Sequence, residues 1–132
     1  MGMFKKRVRV SNTTDSSKCF EAEFWIDTGA LYSFVPEDYL ETIGFEAIET
    51  RSLVFADGRV GRCPFGYINL EIEGFDSINI CPVVAGTKGS MFLLGATALE
   101  NFGVEADPVN KRLNPIMAII GGFMASRWSL IM

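Results

Sequence analysis

The chain has 132 residues, enough for one domain with a core of its own. Hydrophobic residues make up 48% and charged residues 21%, the balance of a soluble globular protein; a net charge of −4, with one basic run at Lys5-Lys6-Arg7, argues against a nucleic-acid binder. There is no histidine, which removes Ser-His and Cys-His catalysis and every histidine-ligated metal site.

The 13 glycines and 11 phenylalanines suit strands joined by tight turns. Residues 7–10 and 19–26 read as strands. In the second, Phe20, Ala22, Phe24 and Ile26 alternate with Cys19, Glu21, Glu23 and Trp25, a period of two with one apolar face. The Ser, Thr, Asn and Asp between them, over 11–18, mark a hairpin turn. Residues 31–35 are apolar and partly aromatic, consistent with a buried strand. Pro36-Glu37-Asp38 opens a short helix over 37–43, with Gly44 at the capping position.

Two runs, 51–56 and 59–63, flank Asp57-Gly58, a strong hairpin signal. Residues 66–72 form another strand, which Gly74 ends. Residues 77–84 follow as a strand carrying Pro82, a sign of an edge or a bulge. Phe92-Leu93-Leu94-Gly95 reads as a short buried strand, 96–101 as a helix capped by Gly103, and 104–106 with 111–113 as a last hairpin. A faint echo links Ile26-Asp27-Thr28-Gly29-Ala30 to Leu93-Leu94-Gly95-Ala96, since each pairs an apolar strand, a glycine turn and a short helix. That echo would suit a pseudo-symmetric domain.

Cysteines 19, 63 and 81 are odd in number and lack CxxC spacing. They argue against a disulfide framework or a zinc site and fit reduced thiols in the cytoplasm. Any acid–base chemistry must then come from Asp, Glu, Lys, Tyr or Cys.

Asp27 is the carboxylate to weigh. It ends an apolar strand, where an ionisable side chain carries a desolvation cost. Two readings stand open on the residues alone: a group placed for chemistry, or an Asp that starts a turn by accepting nearby backbone N–H bonds.

Asp27-Thr28-Gly29-Ala30, the hairpin at Ala56-Asp57-Gly58-Arg59 and the apolar Leu93-Leu94-Gly95 occur in this order at suitable spacing. The arrangement resembles the retroviral-type (retropepsin-like) aspartic proteases over roughly residues 8–113. The resemblance implies an all-β acid-protease closed barrel with one or two short helices, assembled as a two-fold homodimer. Its activity would be aspartic endopeptidase, with Asp27 of each subunit forming the dyad, water as nucleophile and no metal or cofactor. Asp15, Asp57, Asp76 and Asp107 lack the Thr/Ser-Gly that should follow, so the second carboxylate would come from a second copy.

By the same resemblance, Asp27, Thr28 and Gly29 form the catalytic loop, with Thr28 bonding across the dimer axis. Ala30 borders the cleft, and Leu93, Leu94 and Gly95 support the loop from beneath. Ala56, Asp57, Gly58 and Arg59 would be a flap closing over a bound peptide; an ordinary exposed turn is the alternative. Arg59 could favour acidic substrates or simply be an exposed arginine.

The domain implied spans 1–115. Residues 116–132 are almost continuously apolar, broken by Arg127 and small residues. They read as dimer interface, with a membrane anchor or an aggregation-prone tail as rivals; Arg127, Gly121-Gly122 and the short length count against an anchor. The partners expected are a second copy and a peptide or unfolded protein, with no nucleic acid. The competing function is a catalytically silent domain of the same fold used for dimerisation or peptide binding. A membrane-associated role is weaker.

Overall fold

Alternation in the first third of the chain builds the floor of the molecule. The computed structural model describes residues 3–117. In it β1 (Lys5–Ser11) and β2 (Cys19–Ile26) pair antiparallel, in register from Lys5↔Trp25 to Ser11↔Cys19. Their inward residues Val8, Val10, Phe24 and Ile26 are at most 3% exposed. The polar turn between them closes on its own side chains: Asn12 Oδ1 accepts the Thr14 and Asp15 amides, and Asp15 Oδ1 accepts that of Ser17.

The expected strand at 31–35 starts later, as β3 (Ser33–Pro36), and Leu31 is 58% exposed. The cause lies across the fold. The carbonyls of Ala30 and Leu31 accept the Ala96 and Thr97 N–H groups, at 2.7 and 3.1 Å. This stretch therefore caps the second helix instead of joining the sheet. Helix α1 (Glu37–Thr42) follows directly, with Glu37 and Asp38 in its first turn and Gly44 (φ +70°) just past its end.

The strands expected at 59–63 and 66–72 are one. β5 (Val60–Ile72) runs unbroken through Pro64 and changes partners along its length. Its first part pairs with β4 (Glu49–Val54), its middle with β6 (Ile78–Gly86), and its end with β1, from Ser11↔Asn69 to Val8↔Ile72. Proline is tolerated where a strand lacks one neighbour. Pro64 lies before the β6 pairing, which begins at Phe65↔Val84; Pro82 lies before β3 joins β6 at Ser33↔Val83. Pro82 thus marks a local edge in a strand that is interior farther along.

β7 (Leu93–Leu94) sits between β2, to which it is parallel, and β3, to which it is antiparallel. The two segments that echo each other in sequence meet here, in register Trp25↔Leu93 and Ile26↔Leu94. Pairing runs β1-β2-β7-β3-β6-β5 and returns to β1, with β4 outside this circuit. Helix α2 (Ala96–Phe102) ends at Gly103 (φ +66°) and lies against β6, where Asn101 Nδ2 donates to the Ile80 carbonyl at 3.1 Å. β8 (Val104–Asp107) and β9 (Arg112–Pro115) form a separate hairpin.

The molecule is therefore mostly β with two short helices among the described residues. Its core gathers Val8, Phe24, Val35, Leu40, Ile43, Ile68, Leu70 and Leu94, each at most 1% exposed. None of the described helices is long and apolar enough to cross a membrane. The segment expected to form a dimer interface, 116–132, lies outside the described residues beyond 117.

Candidate active site

Asp27 comes one residue after β2 ends, where the chain must leave the sheet. Its amide donates to the Leu94 carbonyl at 3.0 Å, which extends the parallel β2–β7 pairing by one step. Its own carbonyl accepts the Ala30 amide at 3.2 Å, closing a tight turn over Thr28 and Gly29. Within that turn Asp27 Oδ1 accepts the Gly29 amide at 3.0 Å. The turn reading of Asp27 holds for one oxygen, which orders the turn, and no described residue donates to the other.

The turn rests on Gly95, and the reason is steric. A Cβ on Gly95 would stand 2.5 Å from the carbonyl carbon and oxygen of Tyr32 and 2.9 Å from the Ala30 oxygen, all backbone atoms. Only glycine permits this approach. The Gly95 amide is buried there and donates to Ser33 Oγ at 3.1 Å, and Ser33 is fully buried. Leu94, 0% exposed, packs into the core under Asp27, while Leu93 reaches the cleft.

An open cleft of about 630 Å³ runs over this loop. Asp27, Gly29, Ala30, Leu31, Tyr32 and Phe34 line one side; Leu53, Val54, Phe55 and Ala56 of the β4–β5 hairpin line the other, with Val84 and Leu93 completing it. Apart from Asp27 the lining is almost wholly apolar, which suits a ligand that is largely apolar itself. Thr28 faces elsewhere. It shares with Asp27 a smaller hollow of about 90 Å³ bordered by Met3, Phe4, Ile26, Ala106 and Pro108.

The hairpin reaches the cleft through Ala56 and the residues before it. Asp57, Gly58 and Arg59, expected to close on a ligand, are exposed and outside the lining. Their geometry also departs from a two-residue turn. Phe55 and Arg59 close a loop of Ala56, Asp57 and Gly58, with the Phe55 carbonyl accepting the Gly58 amide at 2.9 Å and its amide donating to Arg59 at 2.8 Å. Only Gly58 has positive φ, +88°. This is a turn followed by a glycine bulge.

Arg59 is committed within this loop. Its amide and guanidinium both donate to Asp57, which holds that carboxyl below the usual range. The guanidinium also lies over the Phe55 ring at 5.7 Å. It is an exposed arginine that stiffens the loop.

The aromatic contacts around the cleft were not singled out in the sequence. The Phe55 ring meets Phe34 edge-on at 6.5 Å, and Tyr32 meets Phe65 edge-on at 5.1 Å. The one available signal was alternation: Leu53 and Phe55 share a face of β4 and its continuation. Cys63 and Cys81 have their thiols pushed up by burial, and Cys19 is exposed; all three are free. No cluster of three or more Cys, Asp or Glu suited to a metal occurs among the described residues.

No family model matches the chain, and no curated protein does. Among solved structures, a retropepsin-like aspartic protease from Rickettsia conorii is similar at 15% identity and a TM-score of 0.43, over 81% of this chain and 89% of that one.

Proposed function

We propose that the chain is an aspartic endopeptidase that works as a homodimer, each subunit supplying Asp27 to a shared dyad. One observation carries the reading: a carboxylate with an oxygen to which no described residue donates lies in an apolar cleft of about 630 Å³, on a backbone turn held from beneath by Gly95. A large apolar cleft with one polar group turned into it is the default place for a ligand to bind.

A single carboxylate cannot act as acid and base in one step. Two within about 3 Å cannot both ionise cheaply, so they hold one proton between them. The ionised one takes a proton from water as the water oxygen bonds to the scissile carbonyl carbon. The protonated one gives its proton to the carbonyl oxygen. Collapse of the resulting diol breaks the C–N bond, and the amine leaves with a proton returned from the dyad. The second carboxylate comes from a second copy approaching on the Thr28 side, where the small hollow with Met3 and Pro108 adjoins Asp27. Residues 116–132 would add to that interface.

The substrate is a peptide or unfolded chain lying extended between the Asp27 loop and the β4–β5 hairpin. Among the described residues β4 pairs only with β5, which leaves its outer edge open to an added strand. Free thiols fit action in a reducing compartment, the cytoplasm.

Hydrolysis of unfolded protein at mildly acidic pH, lost in Asp27→Asn without loss of fold, tests the reading. It fails if Asp27→Asn hydrolyses as the wild type does, or if the active species sediments as a monomer.

A further inference from the structure

Arg51 lies on β4, half-buried, and its guanidinium has two hydrogen-bond partners and an aromatic face against it. Nε donates to Glu49 Oε1 at 2.7 Å, and Nη1 donates to the Tyr32 hydroxyl. The guanidinium carbon lies 3.6 Å from the centre of the Phe65 ring and 5.4 Å from that of Tyr32. Tyr32 and Phe65 themselves touch edge to face. Arg51 belongs to the hairpin that roofs the cleft; Tyr32 belongs to the loop that carries Asp27 and lines the cleft's wall.

Tyr32 is therefore gripped at both ends. Its backbone rests on Gly95 with no room for a Cβ between them, and its ring and hydroxyl are held by Phe65 and Arg51. Only a planar donor fork can bond in two directions while stacking on a ring. A lysine in this place would keep the charge and lose the geometry.

We propose that Arg51 is a positioning residue: through Tyr32 it ties the β4–β5 hairpin to the Asp27 loop and so sets the width of the cleft. That the cleft takes a peptide rests on the function proposed above; the tie between the two elements does not. Arg51 touches no reacting atom in this account. It acts through the wall residue it holds.

The test uses Arg51→Met, Arg51→Lys, Tyr32→Phe and the double variant Arg51→Met/Tyr32→Phe in the full chain, read in two ways. Amide hydrogen exchange is followed in residues 28–32 and in residues 54–60. A hydrogen bond from a charged donor that spans both segments protects both, so its loss should speed exchange about tenfold in each. Arg51→Lys should behave as Arg51→Met does, and the double variant should be no faster than Arg51→Met alone. In peptide hydrolysis, KM should rise several-fold with kcat nearly unchanged, because the wall is displaced and the carboxylate is not.

Faster exchange in the hairpin alone would overturn the proposal, leaving Arg51 a local prop. Wild-type behaviour of Arg51→Lys would overturn it too. Tyr32→Phe removes one oxygen and no packing, so it decides the matter even if the arginine variants fold poorly. If the wild type hydrolyses nothing, the enzymatic reading falls, while the exchange data still decide the tie.

Discussion

Gly95 shows how much a single missing side-chain atom can hold. The Tyr32 and Ala30 backbone atoms that a Cβ would strike cannot swing aside as a side-chain end could. Gly95→Ala should destabilise the fold by about 1–3 kcal/mol, the usual cost of overpacking. Ser33→Ala should cost about 1–3 kcal/mol as well, by leaving the buried Gly95 amide without its acceptor. The two act on one contact, so the double variant should lose less than the sum, which denaturant unfolding would measure. Asp27, Leu93, Leu94 and Gly95 were legible because their signals are local: an acid at a strand end, an apolar pair, a glycine. Tyr32, Phe34 and Arg51 were not. Their roles come from β3 and β4 being brought together by pairing with β6 and β5, and nothing in their immediate neighbours encodes that.

At the scale of elements, the β4–β5 hairpin is the part that differs most from its sequence expectation. Asp57-Gly58 was read as the whole turn; it is the end of a longer loop in which only the glycine takes positive φ, and the Asp57 carboxylate serves the loop by bonding Arg59. Those bonds depress the Asp57 pKa. The sign follows from linkage. A carboxyl depressed in the fold adds stability above its unfolded pKa, and that stability is lost as pH falls through the lower, folded value. Asp57 is exposed, so the effect is local to the loop. Carboxyl NMR titration should place Asp57 below an unfolded-peptide aspartate, with the loop intact at mildly acidic pH. An ordinary titration for Asp57 would contradict this role.

β5 makes the same point about elements. Two strands were legible either side of Pro64, one from the Asp57-Gly58 turn signal and one from partial alternation, and their continuity was not. A proline reads as a break, yet Pro64 falls in a stretch paired on one side only. The late start of β3 is similar, since the carbonyls of Ala30 and Leu31 are claimed by a helix more than sixty residues away in sequence.

The whole molecule presents a pairing circuit with a hairpin folded over one side and a carboxylate turn beneath it. Its mostly β character was legible from period-two alternation and turn residues, because those signals repeat in nearly every element. The chain has no histidine and a single Asp-Thr-Gly, so the proposed dyad needs two chains. Mixing tests that most directly. Wild-type and Asp27→Asn chains are combined at constant total concentration, allowed to exchange subunits, and assayed for peptide hydrolysis. If each active site needs Asp27 from both copies, activity falls as the square of the wild-type fraction, reaching a quarter at an equal mixture. A linear fall, to one half at an equal mixture, would mean that one chain's Asp27 suffices and would contradict the account.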